Sequence, residues 1–172
     1  MTTRTTSTAK SLKLAFCFFM IAFSAGLNAQ PREEADSEAD HHAHHKNEIG
    51  VANSPVYFFK EKVLAYGRHI HYSRSLSESN FGAGLGYERI FDEHGHHMIG
   101  LEVFYRPVEA LCMNLSPGLT FEDKNPKAGF SLHLETSYEF EIKDFHLGPA
   151  LELAFDQEDI HLSAGLHLGY GF

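Results

Sequence analysis

The sequence is poor in cysteine, in positive charge and in tryptophan. Its 172 residues contain two cysteines and no tryptophan, and 14 Lys and Arg stand against 23 Asp and Glu. Because Cys17 lies in a segment that we expect to be removed, Cys112 has no partner for an intramolecular disulfide, and a Cys-rich metal ribbon is excluded. The net charge of −9 argues against binding to a nucleic acid backbone. We therefore expect no nucleic acid partner.

Long apolar runs are also missing. The unbroken run at residues 14–23 is too short to span a bilayer as a helix, which requires about 20 residues. It follows the positive residues Arg4, Lys10 and Lys13 and precedes small and neutral residues at 27–29. This is the layout of a secretory signal with its cleavage site. We predict that residues 1–29 are a signal peptide and that the mature protein is exported.

Residues 30–47 form an acidic segment rich in histidine, called here the His-rich tail. The whole chain has 13 histidines. Nothing in the tail can build an apolar core, so we predict that it is disordered. Its imidazole and carboxylate groups suit Zn²⁺, Ni²⁺ or Cu²⁺. Two interpretations stay open: weak metal capture, limited by the entropy of ordering the tail, or a solvated linker. The candidate metal ligands are His41, His42, His44 and His45.

From about Glu48 onward, the hydrophobic pattern has a period of two rather than the 3.6 of a helix. In residues 130–142, for example, apolar and polar side chains alternate, which separates them onto the two faces of a strand. Turn-forming residues, among them Pro107 and the pair 143–144, divide the pattern into eight segments. We predict strands at 48–58, 63–73, 80–91, 97–106, 110–121, 129–142, 145–155 and 160–172.

Eight alternating strands fit either a soluble barrel or a transmembrane barrel, which place the apolar face on opposite sides. Three features favour the transmembrane barrel. The polar face carries very small or charged residues, as at Gly84, Gly86 and Glu88. Aromatic residues lie at the strand ends and aliphatic residues in the middles, as two membrane–water interfaces favour. The chain also stops on Phe172, with alternate apolar positions behind it.

The C-terminal segment carries a patterned set of apolar residues: Leu166, Leu168, Tyr170 and Phe172. This pattern resembles the terminal strand signal of bacterial outer-membrane β-barrel proteins. With the signal peptide and the eight strands, residues 48–172 are similar to the small barrels of outer membrane proteins A, W and X. The resemblance implies an all-β, up-and-down antiparallel transmembrane barrel whose terminal signal is read by the barrel-assembly machinery. It also implies a monomer in contact with outer-membrane lipid and lipopolysaccharide.

An even number of strands places both ends of the barrel on the same side of the membrane. We therefore expect the His-rich tail and Phe172 to lie in the periplasm. The reversals near residues 60–62, 92–95, 122–126 and 156–159 then face outward. Their acidic residues would suit divalent cations that bridge to anionic lipid headgroups.

The inward-facing side chains decide what this barrel could do, because eight strands enclose space for side chains rather than an open pore. If residues 143–144 form a two-residue turn, Glu135 faces Glu152 on the next strand. The same arithmetic places His133 and His161 opposite Ala154. We therefore expect one patch of the inner wall to hold His133, Glu135, Glu152 and His161. The full inward set predicted by the alternation is His69, His71, Glu88, Glu102, Arg106, His133, Glu135, Glu139, Glu141, His146, Glu152, His161 and His167.

Opposed carboxylates are destabilising unless they share a proton or recruit a cation. Three interpretations of the inner wall stay open: a structural salt-bridge plug, a divalent-metal or proton-linked site, and hydrolytic chemistry. The last would use the inward Ser131, Ser137 or Ser163, although the oriented triad and oxyanion hole of a hydrolase are not apparent.

Five further residues raise separate questions. Arg68 falls on the outward register, which requires a bulge, a different register or a protein contact to be tolerated. His94, His96 and His97 form either a surface metal site or a polar hairpin end. Cys112 faces inward as a small filler residue.

These observations together predict a non-enzymatic integral outer-membrane barrel with a structural or envelope-homeostasis role and transition-metal capture by the His-rich tail. Two alternatives stay open: a narrow transport route for metal ions or small solutes, and a membrane-embedded lipid hydrolase. If the barrel were soluble instead, its apolar face would be a ligand-binding interior.

Overall fold

A computed structural model describes residues 45–76, 79–124, 127–157 and 159–172. They belong to the compact unit His42–Phe172. The predicted signal peptide and most of the His-rich tail, including His41, His42 and His44, lie outside the described residues. Their predicted boundaries and roles therefore stay predictions.

The described residues form strands joined by short reversals, as the period of two predicts. Alternate side chains on each strand point to opposite faces, so a polar inner face and an apolar outer face arise together. The strands are β1 (Asn47–Phe58), β2 (Val63–Ser75), β3 (Phe81–Phe91), β4 (His96–Val108), β5 (Leu111–Glu122), β6 (Gly129–Tyr138), β7 (Phe140–Ile142), β8 (Phe145–Asp156) and β9 (Ile160–Gly171).

The strands close into an eight-stranded antiparallel barrel in meander order. Consecutive strands pair with each other except for β6 and β7. These two both pair with β8 and together count as one of the eight strands of the barrel. The barrel closes where β1 pairs with β9. There the amide of Asn47 donates to the carbonyl of Phe172 at 3.0 Å. The predicted fold class is confirmed.

The sixth strand is interrupted at Glu139, whereas the sequence predicts a single strand over 129–142. The pairing register with β8 is the same on both sides of the break, as Glu135 faces Glu152 and Glu141 faces His146. Pro149 on β8 lacks an amide donor at this level, which opens the ladder locally. The amide of Glu139 instead donates to the carbonyl of Ala110 on the other side, at 2.7 Å.

Pro107 does not form the turn that the sequence predicts. It lies inside β4, and the chain reverses at residues 109–110 instead. Proline cannot donate to the ladder, so the strand accommodates it by a shift of register between Tyr105 and Val108. Pro55 likewise lies inside β1 without ending it.

The outer face of the barrel is apolar around its whole circumference. Aliphatic side chains in the middle of the strands are exposed, for example Leu85 at 58%, Leu101 at 61% and Leu166 at 59%. Aromatic rings lie toward the strand ends, as at Phe91 and Phe140. Among the described residues, no helix has the length and apolarity needed to cross a membrane. The apolar side chains of this barrel point outward, whereas those of a soluble barrel point inward.

The barrel has a terminal end and a distal end. The terminal end contains Asn47 and Phe172, and the distal end contains the reversals between β1 and β2 and between β3 and β4.

Candidate functional site

The interior of the barrel is filled by histidines and carboxylates. Glycines in the wall make room for them: a Cβ at Gly86 would collide with Glu102 and His69, and a Cβ at Gly169 would collide with His146. The predicted inward set is confirmed except for Glu141, which is exposed at the terminal end. The fully buried members are His71, Glu88, Glu102, His133, Glu139, His146, Glu152, His161 and His167.

The distal half of the lumen contains four of these side chains in mutual contact, called here the distal cluster: Glu88, His133, Glu152 and His161. Each offers one ligand atom, and the four atoms lie within 4.8 Å of one another. His133 Nδ1 lies 3.2 Å from a carboxylate oxygen of Glu152 and 3.6 Å from one of Glu88. Two carboxylates therefore flank one imidazole.

Two buried imidazole nitrogens of the distal cluster lack a hydrogen-bond partner among the described residues, Nε2 of His133 and Nε2 of His161. The other ring nitrogen of His161, Nδ1, lies 3.4 Å from a carboxylate oxygen of Asp156. His161 is only 1% exposed, so bulk water does not satisfy these atoms. A void of about 10 Å³ lies against Glu88, His133 and Glu152, which is close to the space that one water molecule needs. Orphaned buried nitrogens beside such a void indicate a place for an ordered water or an ion.

Two imidazoles and two carboxylates are a suitable donor set for a divalent transition metal, Zn²⁺ in particular. The sequence predicts a patch of His133, Glu135, Glu152 and His161, and three of these meet in the distal cluster. Glu135 points instead toward His69, with His69 Nδ1 at 3.9 Å from its carboxylate. Glu88 takes the fourth place. It reaches the cluster across the lumen from β3, a contact that hairpin register cannot reveal.

The terminal half of the lumen is arranged around an arginine. Arg106 Nη2 lies 2.9 Å from Glu48 and 3.2 Å from Glu139. Glu48 also accepts from His71 Nε2 at 3.1 Å and lies 3.4 Å from His146 Nε2. These carboxylates are thus balanced by cationic or donor groups within the protein. Glu48, His146 and His167 form a second set of ligand atoms within 4.8 Å, called here the terminal cluster.

Sequence reasoning missed Glu48 as an inward residue, because it lies at the very start of the first strand. Its parity could have identified it, since Glu48 lies on the same face of β1 as the buried Ala52 and Val56.

The middle of the lumen connects the two clusters. His69 Nε2 lies 3.0 Å from Glu102, and the same imidazole approaches Glu135 through Nδ1. The His69 and His71 rings are 5.4 Å apart, and the His71 ring stacks on His167 at 5.1 Å. Imidazole and carboxylate groups therefore follow one another along the barrel axis.

The distal mouth is an acidic cavity of about 110 Å³, lined in part by Glu61, Glu122 and Asp159. Phe58 separates it from the distal cluster, since its ring packs 5.0 Å from that of His161 and 5.3 Å from that of His96. Glu122 lies 3.4 Å from His96 Nε2. The mouth is thus a negatively charged cavity, and the ring of Phe58 lies between it and the distal cluster.

The reversal between β3 and β4 adds an ion pair at the rim of the distal mouth. His96 Nδ1 lies 2.8 Å from the Asp92 carboxylate, which also accepts from the amide of Gly95 at 2.7 Å. Burial acts to raise the pKa of Asp92, but the charge of His96 and these hydrogen bonds outweigh it and lower the pKa below 3.8.

The three histidines of this hairpin do not form one site, contrary to one of the two interpretations of the sequence. His96 faces the mouth, whereas His97 faces outward, where its Nδ1 pairs with Tyr87 Oη at 2.7 Å and its Nε2 with Asp123 at 2.9 Å. Adjacent residues of a strand point to opposite faces, which separates the two imidazoles. His94 is exposed in the turn.

The structure also places the remaining candidate residues. His45 is exposed at the terminal end, 3.3 Å from Asp144. Cys112 is buried and unpaired. Ser137 Oγ donates to Glu139 at 2.8 Å and Ser163 Oγ to Glu152 at 3.5 Å, so both hydroxyls bond carboxylates inside the lumen. The predicted assembly signal, Leu166, Leu168, Tyr170 and Phe172, is exposed on the outer face.

Arg68 is outward-facing, and a protein contact accounts for it. Its Nε donates to Oδ1 of Asn53 at 3.1 Å, and Asn53 lies directly opposite on β1. The pairing register is continuous through Arg68, so neither a bulge nor a different register is needed.

No protein-family model matches this chain, and no curated protein matches it. Solved structures do. Neisserial surface protein A is 10% identical, with a TM-score of 0.55 over 73% of this chain and 96% of that one. Ail, the attachment invasion locus protein of Yersinia pestis, is 12% identical, with a TM-score of 0.54 over 75% of this chain and 99% of that one. A de novo designed transmembrane β-barrel, 12% identical, gives a TM-score of 0.53 over 74% and 97%.

At these identities the likeness concerns the fold. This chain folds as the small eight-stranded outer-membrane β-barrels do, and nearly the whole length of each of those barrels is matched. The resemblance that the sequence predicts is confirmed at that level.

Proposed function

We propose that this protein is a non-enzymatic, integral barrel of the bacterial outer membrane that binds a divalent transition-metal ion in its lumen. In this proposal the barrel has a structural, envelope-maintaining role, and the His-rich tail collects metal in the periplasm. The distal cluster is the single observation that carries the metal-binding role, because the buried Nε2 atoms of His133 and His161 lack hydrogen-bond partners among the described residues, and a void of about 10 Å³ lies against both side chains.

Membrane insertion is supported by the apolar outer face and by the fold. The barrel exposes aliphatic side chains that water would not tolerate in such number, with rings toward both strand ends. The test is gel mobility of the protein from isolated outer membranes, with unheated and boiled samples compared in detergent. We expect a heat-dependent shift and recovery in the outer-membrane fraction. A soluble periplasmic protein without a shift would contradict the proposal.

Metal binding is tested on the full mature chain folded in detergent micelles. Zn²⁺, Ni²⁺ and Cu²⁺ are titrated separately and the bound metal is counted after dialysis. To isolate the lumen, His41, His42, His44 and His45 are replaced by Asn in one background. We expect one ion to remain bound, most tightly Zn²⁺, and Glu152→Gln to weaken its affinity at least ~10-fold, about 1.4 kcal/mol.

The matched control is Glu109→Gln, the same change at an exposed residue of the terminal end. It should leave the affinity unchanged. Equal affinity in Glu152→Gln and Glu109→Gln, or no bound metal in the tail-substituted protein, would contradict a lumenal site. Loss of additional ions on tail substitution alone would support metal capture by the tail.

Contact with anionic lipid is supported by two arginines on the outer face. Arg68 and Arg89 face each other across β2 and β3, and opposed like charges are destabilising unless they are neutralised. Asp123 pairs with Arg89 at 3.3 Å and neutralises one of the two charges. We propose that phosphate groups of lipopolysaccharide neutralise the other. Replacing both arginines by Gln should remove the extra stability that vesicles containing phosphorylated glycolipid give over neutral vesicles.

The remaining partner proposals follow from the outer surface. The exposed terminal residues Tyr170 and Phe172 are proposed to be read by the barrel-assembly machinery, and the protein to work as a monomer. Removing Phe172 should lower the amount of folded barrel in cells while leaving refolding in detergent unchanged. Crosslinking of the wild-type protein in membranes should give a single-chain band.

A further inference from the structure

We propose that the lumen is a route for divalent transition-metal ions, which pass through the barrel by transfer between overlapping sets of ligands. The route runs from the acidic distal mouth to the terminal cluster. This inference rests on the proposed function, because the first metal-binding site along the route is the distal cluster.

The distal half of the route consists of sets that share a residue. Glu152 belongs to the distal cluster and also to a set with His69 and Glu135. His69 belongs in turn to a set with His71 and Glu102. Within every set the ligand atoms lie within 4.8 Å of one another. An ion can therefore keep Glu152 as a ligand while it passes from the distal cluster to the set with Glu135. His69 presents Nδ1 to Glu135 and Nε2 to Glu102, so the ion then passes from one nitrogen of this imidazole to the other.

The second half of the route joins His71 to the terminal cluster. His71 Nε2 lies 3.1 Å from the Glu48 carboxylate, and its ring stacks on that of His167 at 5.1 Å. Glu48 and His167 are both members of the terminal cluster, together with His146. Beyond it lies the exposed His45, the described end of the His-rich tail.

The voids along the route are large enough for a dehydrated ion but too small for a continuous column of water. Three separate voids of about 10 Å³ each lie beside the distal and middle sets, and each is close to the space that one water needs. An ion would thus exchange its hydration shell for imidazole and carboxylate ligands. This favours Zn²⁺-like ions over Mg²⁺, which dehydrates reluctantly and prefers oxygen ligands.

The two ends of the route differ in charge. The distal mouth concentrates cations through Glu61, Glu122 and Asp159, with Phe58 between the mouth and the distal cluster. At the terminal end, the guanidinium of Arg106 lies beside Glu48 and Glu139, so an ion must pass a fixed positive charge. We therefore expect slow, saturable transfer rather than the conductance of an open pore.

The test uses the full mature chain in lipid vesicles that contain a Zn²⁺-sensitive fluorescent dye. The decisive variant is His69→Gln, because His69 connects the two middle sets but is not part of the distal cluster. We expect Zn²⁺ influx with the wild-type protein, little influx of Mg²⁺ measured with its own indicator, and at least a tenfold loss of Zn²⁺ influx in His69→Gln. Zn²⁺ binding, counted on the same vesicles, should persist in that variant.

The control is His94→Gln, the same change at an exposed turn residue, which should leave influx unchanged. His71→Gln provides a second break in the route, and the gel shift verifies that each variant is folded. Wild-type protein that binds Zn²⁺ but gives no influx overturns the route and leaves the proposed function standing. Full influx in both folded His69→Gln and His71→Gln also overturns it. Protein that neither binds nor transfers Zn²⁺ overturns both.

Discussion

The two halves of the lumen contain the same kinds of side chain but are balanced differently. In the terminal half, Arg106 lies between Glu48 and Glu139, so an internal cation balances the carboxylates. In the distal half, Glu88 and Glu152 flank the single imidazole of His133, and Nε2 of His161 lacks a hydrogen-bond partner among the described residues. One half is therefore complete as a salt-bridge plug, whereas in our proposal the other is completed by a bound cation.

This difference has an energetic meaning. A buried carboxylate that loses its partner cation is strongly destabilising, because the charge stays desolvated without compensation. A buried site with excess carboxylate is stabilised by whatever cation binds there, and the stabilisation grows with the logarithm of the concentration of that cation. Substitutions in the terminal half should thus act on stability, and substitutions in the distal half on metal binding.

The largest expected effect is that of Arg106→Gln. The change leaves Glu48 and Glu139 buried without their shared cation, so we expect the free energy of unfolding to fall by about 3–5 kcal/mol. The measurement is reversible urea unfolding of the barrel in lipid vesicles. Arg74→Gln, at an exposed arginine, is the matched control and should cost less than about 0.5 kcal/mol.

The outcome of this experiment decides whether the two halves differ at all. A loss below about 1 kcal/mol for Arg106→Gln, similar to that of Arg74→Gln, would mean that water rather than the guanidinium satisfies the terminal carboxylates. The terminal half would then be no better balanced than the distal half.

The next largest effect is stabilisation by Zn²⁺. At a free Zn²⁺ concentration about 100 times the dissociation constant, a single site adds about 2.7 kcal/mol to the free energy of unfolding. We expect this gain in the tail-substituted protein and its loss in His161→Gln, whose side chain supplies one of the unpartnered nitrogens. Retention of the full gain in His161→Gln would show that the stabilising ion binds elsewhere.

A paired comparison of carboxylates sharpens the contrast further. Without metal, Glu48→Gln removes an ion pair with Arg106 and should cost about 1.5–3 kcal/mol. Glu88→Gln relieves repulsion from Glu152 around His133 and should be neutral within about 0.5 kcal/mol, or stabilising. Urea unfolding in the presence of a metal chelator measures both. Equal losses in the two variants would contradict the different balance of the two halves.

Much of the fold could be predicted from the sequence because strand periodicity and hairpin register are local. A two-residue turn at 143–144 fixes the pairing of β8 with its predecessor, and the observed partners Glu135 and Glu152 follow from it. The break at Glu139 and the bulge at Pro107 escaped prediction. Both depend on where a proline removes a ladder donor, and a strand can absorb that loss in several ways.

The candidate site could be predicted only in part, because pairing register relates neighbouring strands and not strands that face each other across the lumen. Neighbouring strands place His133, Glu152 and His161 together by register alone. Glu88 meets them across the lumen, and that contact depends on barrel closure and side-chain reach rather than on pairing. The two middle sets through His69 likewise bring β2 against β4 and β6, which are not its paired neighbours.

The smallest expected effect lies outside both halves, at the Asp92–His96 pair on the distal rim. Because the folded state lowers the pKa of Asp92 below 3.8, its stabilising contribution is complete above that value and disappears as the pH falls through the folded pKa. Asp92→Asn should therefore cost at most about 1 kcal/mol near pH 5, and the difference from wild type should be smaller near pH 2. Urea unfolding of both proteins at the two pH values measures it. Any other pH-dependent change in the barrel occurs in both proteins, so the difference isolates Asp92. A difference that grows toward low pH would mean that burial, rather than His96, dominates at this rim.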